Sequence, residues 1–447
     1  MQSSILLRGQ FAAGEHDDRD FDQARPMYAG WIGDTWAVSP RLTLNLGVRY
    51  DVAWKDFIAL GVTPTSVVIN NGFTTADYGY RNDIRDLNNV APRLGFAWNV
   101  TADNRLVIRG GSGIFHATQG SNQAIDQQLW NGQRVVVASF PNDGRPGFIQ
   151  DPTRGLTAQQ VLSGAVALPP QTISVIDRNY QMPYMWQSMV GFQKQLGEVL
   201  GVDADLIYQK GYNEDMQVDP NVFYDPVTGF PKPPSVFGRP NPAYGPINLK
   251  QSTGRSNYLA LASSVNRRYR NKFQLGLTYT LMFFRNDTGI GVAGYGNQQL
   301  NPFNINQDWG RSAEFQRHTV NANGLWALPY GIMLAGSFHY GSGNYSTITS
   351  PNDPLGQVNG ARRVLADLTV LPRNTFLNDP WQGLDLRVSK DFPLGGRVKL
   401  SGVAEVFNAY NYARFNRNTI YNNALFGQAT SSGATSRTGQ LSFRLSF

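Results

Sequence analysis

The chain has 447 residues, enough for two or three ordinary domains or one large barrel. Its 39 Lys and Arg against 32 Asp and Glu give a net charge of +7, but the basic residues are scattered, which excludes a nucleic-acid patch. Cysteine is absent, which removes disulfides, thiolate catalysis and Cys-ligated zinc together. Glycine (46 residues) and aromatics (12%) are abundant and charged residues make up only 16%, a composition that points to an all-β chain. No stretch approaches the ~18 consecutive apolar residues of a spanning helix. The opening "MQSSILLRGQFAAGEHDDRD" has neither the positive n-region nor the apolar h-region of a signal peptide.

Alternating segments recur from one end to the other. They predict strands near 2–12, 27–38, 41–54, 90–100, 105–116, 179–196, 201–212, 255–270, 272–285, 315–328, 331–344, 382–393, 397–408 and 436–447, roughly 14 in all. "RLTLNLGVRYD" places Leu42, Leu44, Leu46, Val48 and Tyr50 on one face and Thr43, Asn45, Arg49 and Asp51 on the other. "GLDLRVSKDF" sets Leu384, Leu386, Val388 and Phe392 opposite Asp385, Arg387, Ser389 and Asp391, with Lys390 the one break in the apolar row. Period two over about ten residues describes long, half-buried strands.

The connections sort by length. Very short ones (Ser39-Pro40, "TADN", "GEVLG", Asn271-Lys272, "PYG", "PLGG") alternate with long ones near 55–89, 117–178, 213–254, 286–314, 345–380 and 409–435. A meander with tight turns on one rim and long loops on the other predicts an antiparallel up-and-down transmembrane β-barrel, whose odd residues in the last strand face lipid and whose even residues face the lumen. The long loops are expected to hold little regular structure, apart from a short helix near 156–164. The final strand places Leu441, Phe443, Leu445 and Phe447 on its apolar face. In lipid every backbone group must be paired, so such a strand has to mate with another.

Several segments also resemble a known family. "YAGWIGDTWAVSPRLTLNLGVRYD" (28–51), "VAPRLGFAWNV" with "RLVIRGGSGIFH", and "LDLRVSKDFPLGGRVKLSGVAEVFNAYNYARF" (384–415) resemble barrel hairpins of TonB-dependent receptors, and "NQDWGRSAEFQRHTVNANGLWALPYG" (306–331) resembles a segment typical of their Oar-like subgroup. "FRLSF" resembles the C-terminal signal read by the barrel-assembly machinery, which gives Leu441, Phe443, Leu445 and Phe447 that role. The resemblance implies a barrel of roughly 22 strands closed by a plug, in the outer membrane of a Gram-negative bacterium, taking up a ligand with energy delivered through TonB. On that reading residues 1–447 are a partial barrel, the C-terminal part, with plug domain, TonB box and signal peptide absent. TonB and the plug then act only through the missing N-terminal part.

The four histidines show no ligand spacing, and "GEHDDRDFD" (14–22) lacks the order of a calcium loop, so it reads as a solvated tip rather than a cation site. No catalytic constellation is present, and neither enzyme activity nor a cofactor is expected. Binding is the more natural role. Aromatics in the long loops, Trp130, Trp309 and Trp381 among them, offer ring faces for a ligand such as a carbohydrate; the competing reading is loop packing. Asp385, Arg387, Glu405 and Arg444 face the lumen, where they meet either a ligand or plug, or one another across strands. The partners expected are outer-membrane lipid and the assembly machinery, and no nucleic acid. Two other functions compete: a structural or adhesive barrel without energised transport, and a soluble secreted β protein that binds carbohydrate.

Overall fold

The computed structural model describes residues 27–56, 66–70, 75–81, 84–117, 144–147, 150–151, 154–157, 160, 168–288, 300–313, 315–356, 362–433 and 436–447. The strand expected at 2–12, the acidic segment 14–22, Trp130 and most of the helix expected at 156–164 lie outside them. The first strands are β1 (Met27–Ser39), β2 (Leu42–Asp56), β3 (Ser66–Asn70), β4 (Thr75–Arg81), β5 (Ile84–Asn99), β6 (Leu106–His116) and β7 (Gln171–Asp177). There follow β8 (Tyr184–Leu196), β9 (Leu200–Val218), β10 (Tyr244–Arg270), β11 (Phe273–Asn286), β12 (Gly310–Arg311), β13 (His318–Ala327) and β14 (Ile332–Gly341). The last are β15 (Tyr345–Ser346), β16 (Phe376–Leu377), β17 (Trp381–Gly395), β18 (Val398–Phe407), β19 (Phe415–Arg417), β20 (Ala429–Ser432) and β21 (Thr438–Ser446).

Thirteen of these form one antiparallel wall in the order β1, β2, β5, β6, β8, β9, β10, β11, β13, β14, β17, β18, β21. They coincide with the thirteen strands expected beyond residue 27. Tight turns join alternate pairs. At one of them Asn271 (φ 54°) and Lys272 (φ 74°) both take the left-handed conformation that suits a two-residue hairpin. The sheet does not close: among the described residues β1 pairs only with β2, and β21 only with β18.

Register confirms the two faces. Trp36, Leu44, Phe96, Gly110, Val190, Leu206, Leu261 and Leu281 follow one another across eight strands in a single row. Phe96 fills the place that a side chain on Gly110 would need. The opposite face carries Thr43, Ala97, Arg109, Gly191, Asp205, Ala262, Thr280 and Thr319 in one row. Apolar wall residues are open to their surroundings: Leu94 is 52% exposed, Leu206 47% and Leu441 76%. A contiguous apolar band of this extent is unsuited to water and suited to lipid.

The buried core lies instead in the long connections, which hold more structure than the sequence suggested. Strand β9 runs on to Val218 and β10 starts at Tyr244, so both extend well into the segment expected to be loop. On the edge of β10 opposite β9, β7 pairs parallel with the start of β10, and it pairs antiparallel with β4. Ile173, Val175, Val218, Ile247 and Leu249 bury one another there. A second cluster joins three loops through Phe230, Leu300, Leu355 and Val364. Strand β7, "QTISVID", does not alternate because its middle residues are buried on both faces, which hides it from a period-two reading. The strand expected from 179 starts at Tyr184, because Asp177 closes a turn by accepting a hydrogen bond from the Asn179 N–H at 2.8 Å.

Candidate functional site

The polar face of the wall gathers most of the residues singled out in the sequence. Asp385 and Arg387 on β17, Glu405 on β18 and Arg444 on β21 all lie on it. Arg387 and Glu405 are direct cross-strand neighbours, with Nη1 3.4 Å from Oε1. The other Glu405 oxygen accepts a hydrogen bond from the Gln440 amide. Asp385 accepts from the Asn408 backbone N–H at 2.8 Å and so ties β17 to the loop after β18. Arg444 is exposed and has no ion-pair partner among the described residues. Three of the four thus meet one another or the wall, and Arg444 alone presents a free charge.

Trp381, read from sequence as a loop residue, is the first residue of β17 and stands on the polar face. Its ring lies 4.4 Å from that of His339. The His339 Nδ1 is 2.6 Å from Asn321 Oδ1, and the Asn321 amide reaches Thr278 Oγ1 at 3.4 Å. A ladder therefore runs from Trp381 through His339 and Asn321 to Thr278 across four neighbouring strands. Further round, Ser264 donates to Asp203 at 2.6 Å, and Arg109 holds Asp205. The sequence reading did not single out Arg109, Asp203, Asp205, Asn321 and His339. Their signal was available, since each occupies a polar-face position of an expected strand.

Trp309 sits in the loop before β12, half-buried, with the Arg255 guanidinium 5.3 Å from its ring centre. It belongs to the packed loops and does not join the Trp381 ladder. Beside it a buried ion pair forms between Arg363 and Asp308, and Arg373 donates to the backbone oxygens of Asn286, Asp308 and Thr288. Burial pushes the Asp308 carboxyl up and the Arg363 guanidinium down, while their mutual attraction opposes both shifts. Asp219 is likewise pushed up by burial, against the pull of Arg239 at 2.8 Å. These contacts lock the loops to one another, apart from the ladder on the wall. Among the described residues no three His, Cys, Asp or Glu side chains gather as a metal site.

A family model described as outer membrane beta barrel domain matches residues 4–349 and 365–440. The chain belongs to that family. Its apolar face is therefore the lipid face, its polar face lines the lumen, and its place is the outer membrane of a Gram-negative bacterium. The reading as a soluble secreted protein is set aside by that match. Among solved structures the chain is similar to the outer membrane transporter YddB from Escherichia coli, at 12% identity and a TM-score of 0.56, over 93% of this chain and 44% of that one. It is also similar to the siderophore receptor PirA from Acinetobacter baumannii, at 10% identity and a TM-score of 0.50, over 93% of this chain and 45% of that one. The outer-membrane barrel spans less than half the length of these proteins. No curated protein matches it.

Proposed function

We propose that this barrel wall is the C-terminal part of a TonB-dependent receptor of the Oar-like type, which admits a scarce ligand through a plugged lumen. The observation that carries the reading is the open seam between β1 and β21, each of which pairs along one edge only among the described residues. An unpaired edge within lipid is not tolerated, so further strands supplied by the same receptor would complete the wall. The likeness to a transporter and a siderophore receptor of about twice the length supports the same view. Plug and TonB contact belong to that remaining part.

The ligand reading rests on the lumen. Trp381 over His339, with Asn321 and Thr278 below, offers one ring face beside donors and acceptors, which suits a ring-bearing polar solute such as a carbohydrate. Asp385, Arg387, Glu405 and Arg444 then face the solute or the plug on the adjoining strands. On the exposed edge, Leu441, Phe443, Leu445 and Phe447 serve the barrel-assembly machinery.

The test is uptake in cells carrying the complete gene, measured with oligosaccharides and with ferric siderophores, with and without TonB. Uptake of an oligosaccharide that vanishes without TonB supports the reading in full. Siderophore uptake with the same dependence keeps the receptor and replaces the ligand class. Uptake of neither, with the protein folded in the membrane, sinks the transport reading in favour of a structural or adhesive barrel.

A further inference from the structure

One sector of the lipid face departs from the apolar pattern. On β9, β10, β11 and β12, Lys210 pairs with Asn257, Asn257 with Arg285, and Arg285 with Arg311. These four residues form one cross-strand row. Their row contains Trp186 on β8, the direct neighbour of Lys210. One ladder step toward the membrane lie Tyr208, Leu259 and Phe283, and one step further Leu206, Leu261 and Leu281. The row thus caps an apolar band on the side of the long loops, which is the outer leaflet side. Neighbouring strands are about 4.8 Å apart, so the three cations span on the order of 15 Å.

The cations are available. Arg285 is exposed, and among the described residues Lys210, Arg285 and Arg311 have no carboxylate in ion-pair reach. Asp287, just past the end of β11, is held by Arg255 at 2.9 Å. Lys210 and Arg311 rest against the Tyr212 and Tyr345 rings, at 5.0 and 4.7 Å. Aromatic backing of this kind orients a cation without neutralising it. On the lumen face, by contrast, Arg49 and Arg109 are each paired with an aspartate. Three unpaired cations in one row at the headgroup level call for an anionic partner from the membrane itself.

We propose that Lys210, Arg285 and Arg311 form a binding site for the phosphate groups of an outer-leaflet lipid, whose acyl chains lie on the Tyr208, Leu259 and Phe283 surface below. Bidentate guanidinium contacts from two arginines and a point charge from the lysine match phosphate monoesters on a lipid headgroup.

The test uses the full chain folded in a neutral detergent and titrated with diphosphoryl lipid A and with the same lipid stripped of its phosphates. The phosphorylated lipid is expected to bind at least about tenfold more tightly. That preference should disappear in the triple variant Lys210→Gln, Arg285→Gln, Arg311→Gln, and persist in Lys390→Gln, a lipid-face cation at the opposite rim. Heat-modifiable gel mobility reports that each variant is folded. Should the triple variant fail to fold, Arg285→Gln alone carries the test, with a loss of about threefold or more expected. Equal binding of the two lipids, a preference that survives the substitutions, or displacement by equimolar inorganic phosphate would each overturn the proposal.

Discussion

Arg109 on β6 and Asp205 on β9 form an ion pair, Nη2 to Oδ2 at 2.8 Å, across an intervening strand whose residue between them is Gly191. The guanidinium passes over a position with no side chain. A Cβ on Gly191 would collide with the Asp205 carboxylate and with the Ala204 carbonyl. Gly191→Ala is therefore expected to break the pair or shift β9. The pair is part-buried, its side chains 39% and 16% exposed, and overpacking at the backbone contact adds a cost of about 1–3 kcal/mol. Denaturant unfolding in detergent measures the sum; a variant as stable as the parent would show that the wall relaxes there freely.

Asp308 and Arg363 bind two long loops together. Arg363→Met leaves Asp308 buried without its cation, a change expected to cost about 3–5 kcal/mol of local loop stability. The paired change Asp308→Leu with Arg363→Met should recover much of that loss. Hydrogen exchange of the Leu300 amide, which donates to the second Asp308 oxygen at 2.9 Å, reports the effect directly.

The two faces of the wall should differ in tolerance. Leu277 faces lipid and its neighbour Thr278 faces the lumen. Leu277→Arg is expected to destabilise the barrel by about 2–4 kcal/mol near the bilayer midplane, while Thr278→Arg should cost little. Refolding into vesicles at graded urea distinguishes the two, and equal costs would contradict the assigned faces.

Asp225 heads a turn in the loop after β9, where its Oδ1 accepts from the backbone N–H of Val227 at 3.0 Å and of Thr228 at 2.9 Å. These bonds, with the Thr228 N–H first, hold its carboxyl below the ordinary carboxylate value. A depressed folded-state value means the stabilisation is in full force above the unfolded-state value and fades as pH falls through the folded one. The Val227 and Thr228 amides should lose exchange protection on acidification. Asp225→Asn should flatten that pH dependence.

The terminal row is expected to control assembly. Phe443 is 75% exposed and Phe447 94% exposed on the unpaired edge. Phe443→Asp should reduce the folded, heat-modifiable fraction in cells several-fold while leaving expression unchanged. An unaltered folded fraction would remove this row from the assembly signal.

Much of the fold could be read from the sequence because its cause is local. A strand facing lipid on one side and water on the other must alternate, as Leu42 to Asp51 and Thr438 to Phe447 do, and a meander must sort its turns from its loops. Parity alone placed Asp385, Arg387, Glu405 and Arg444 on the lumen face. What parity leaves open is which residue stands beside which, since that depends on strand register. The Trp381–His339–Asn321 ladder, the reach of Arg109 over Gly191, and the row of Lys210, Arg285 and Arg311 all exist only once neighbouring strands are aligned. The loops went furthest beyond the sequence. Arg363 and Asp308 are 55 residues apart, and β7 finds its place between β4 and β10. Such pairings are decided by burial among distant segments, and only the tertiary structure brings those segments together.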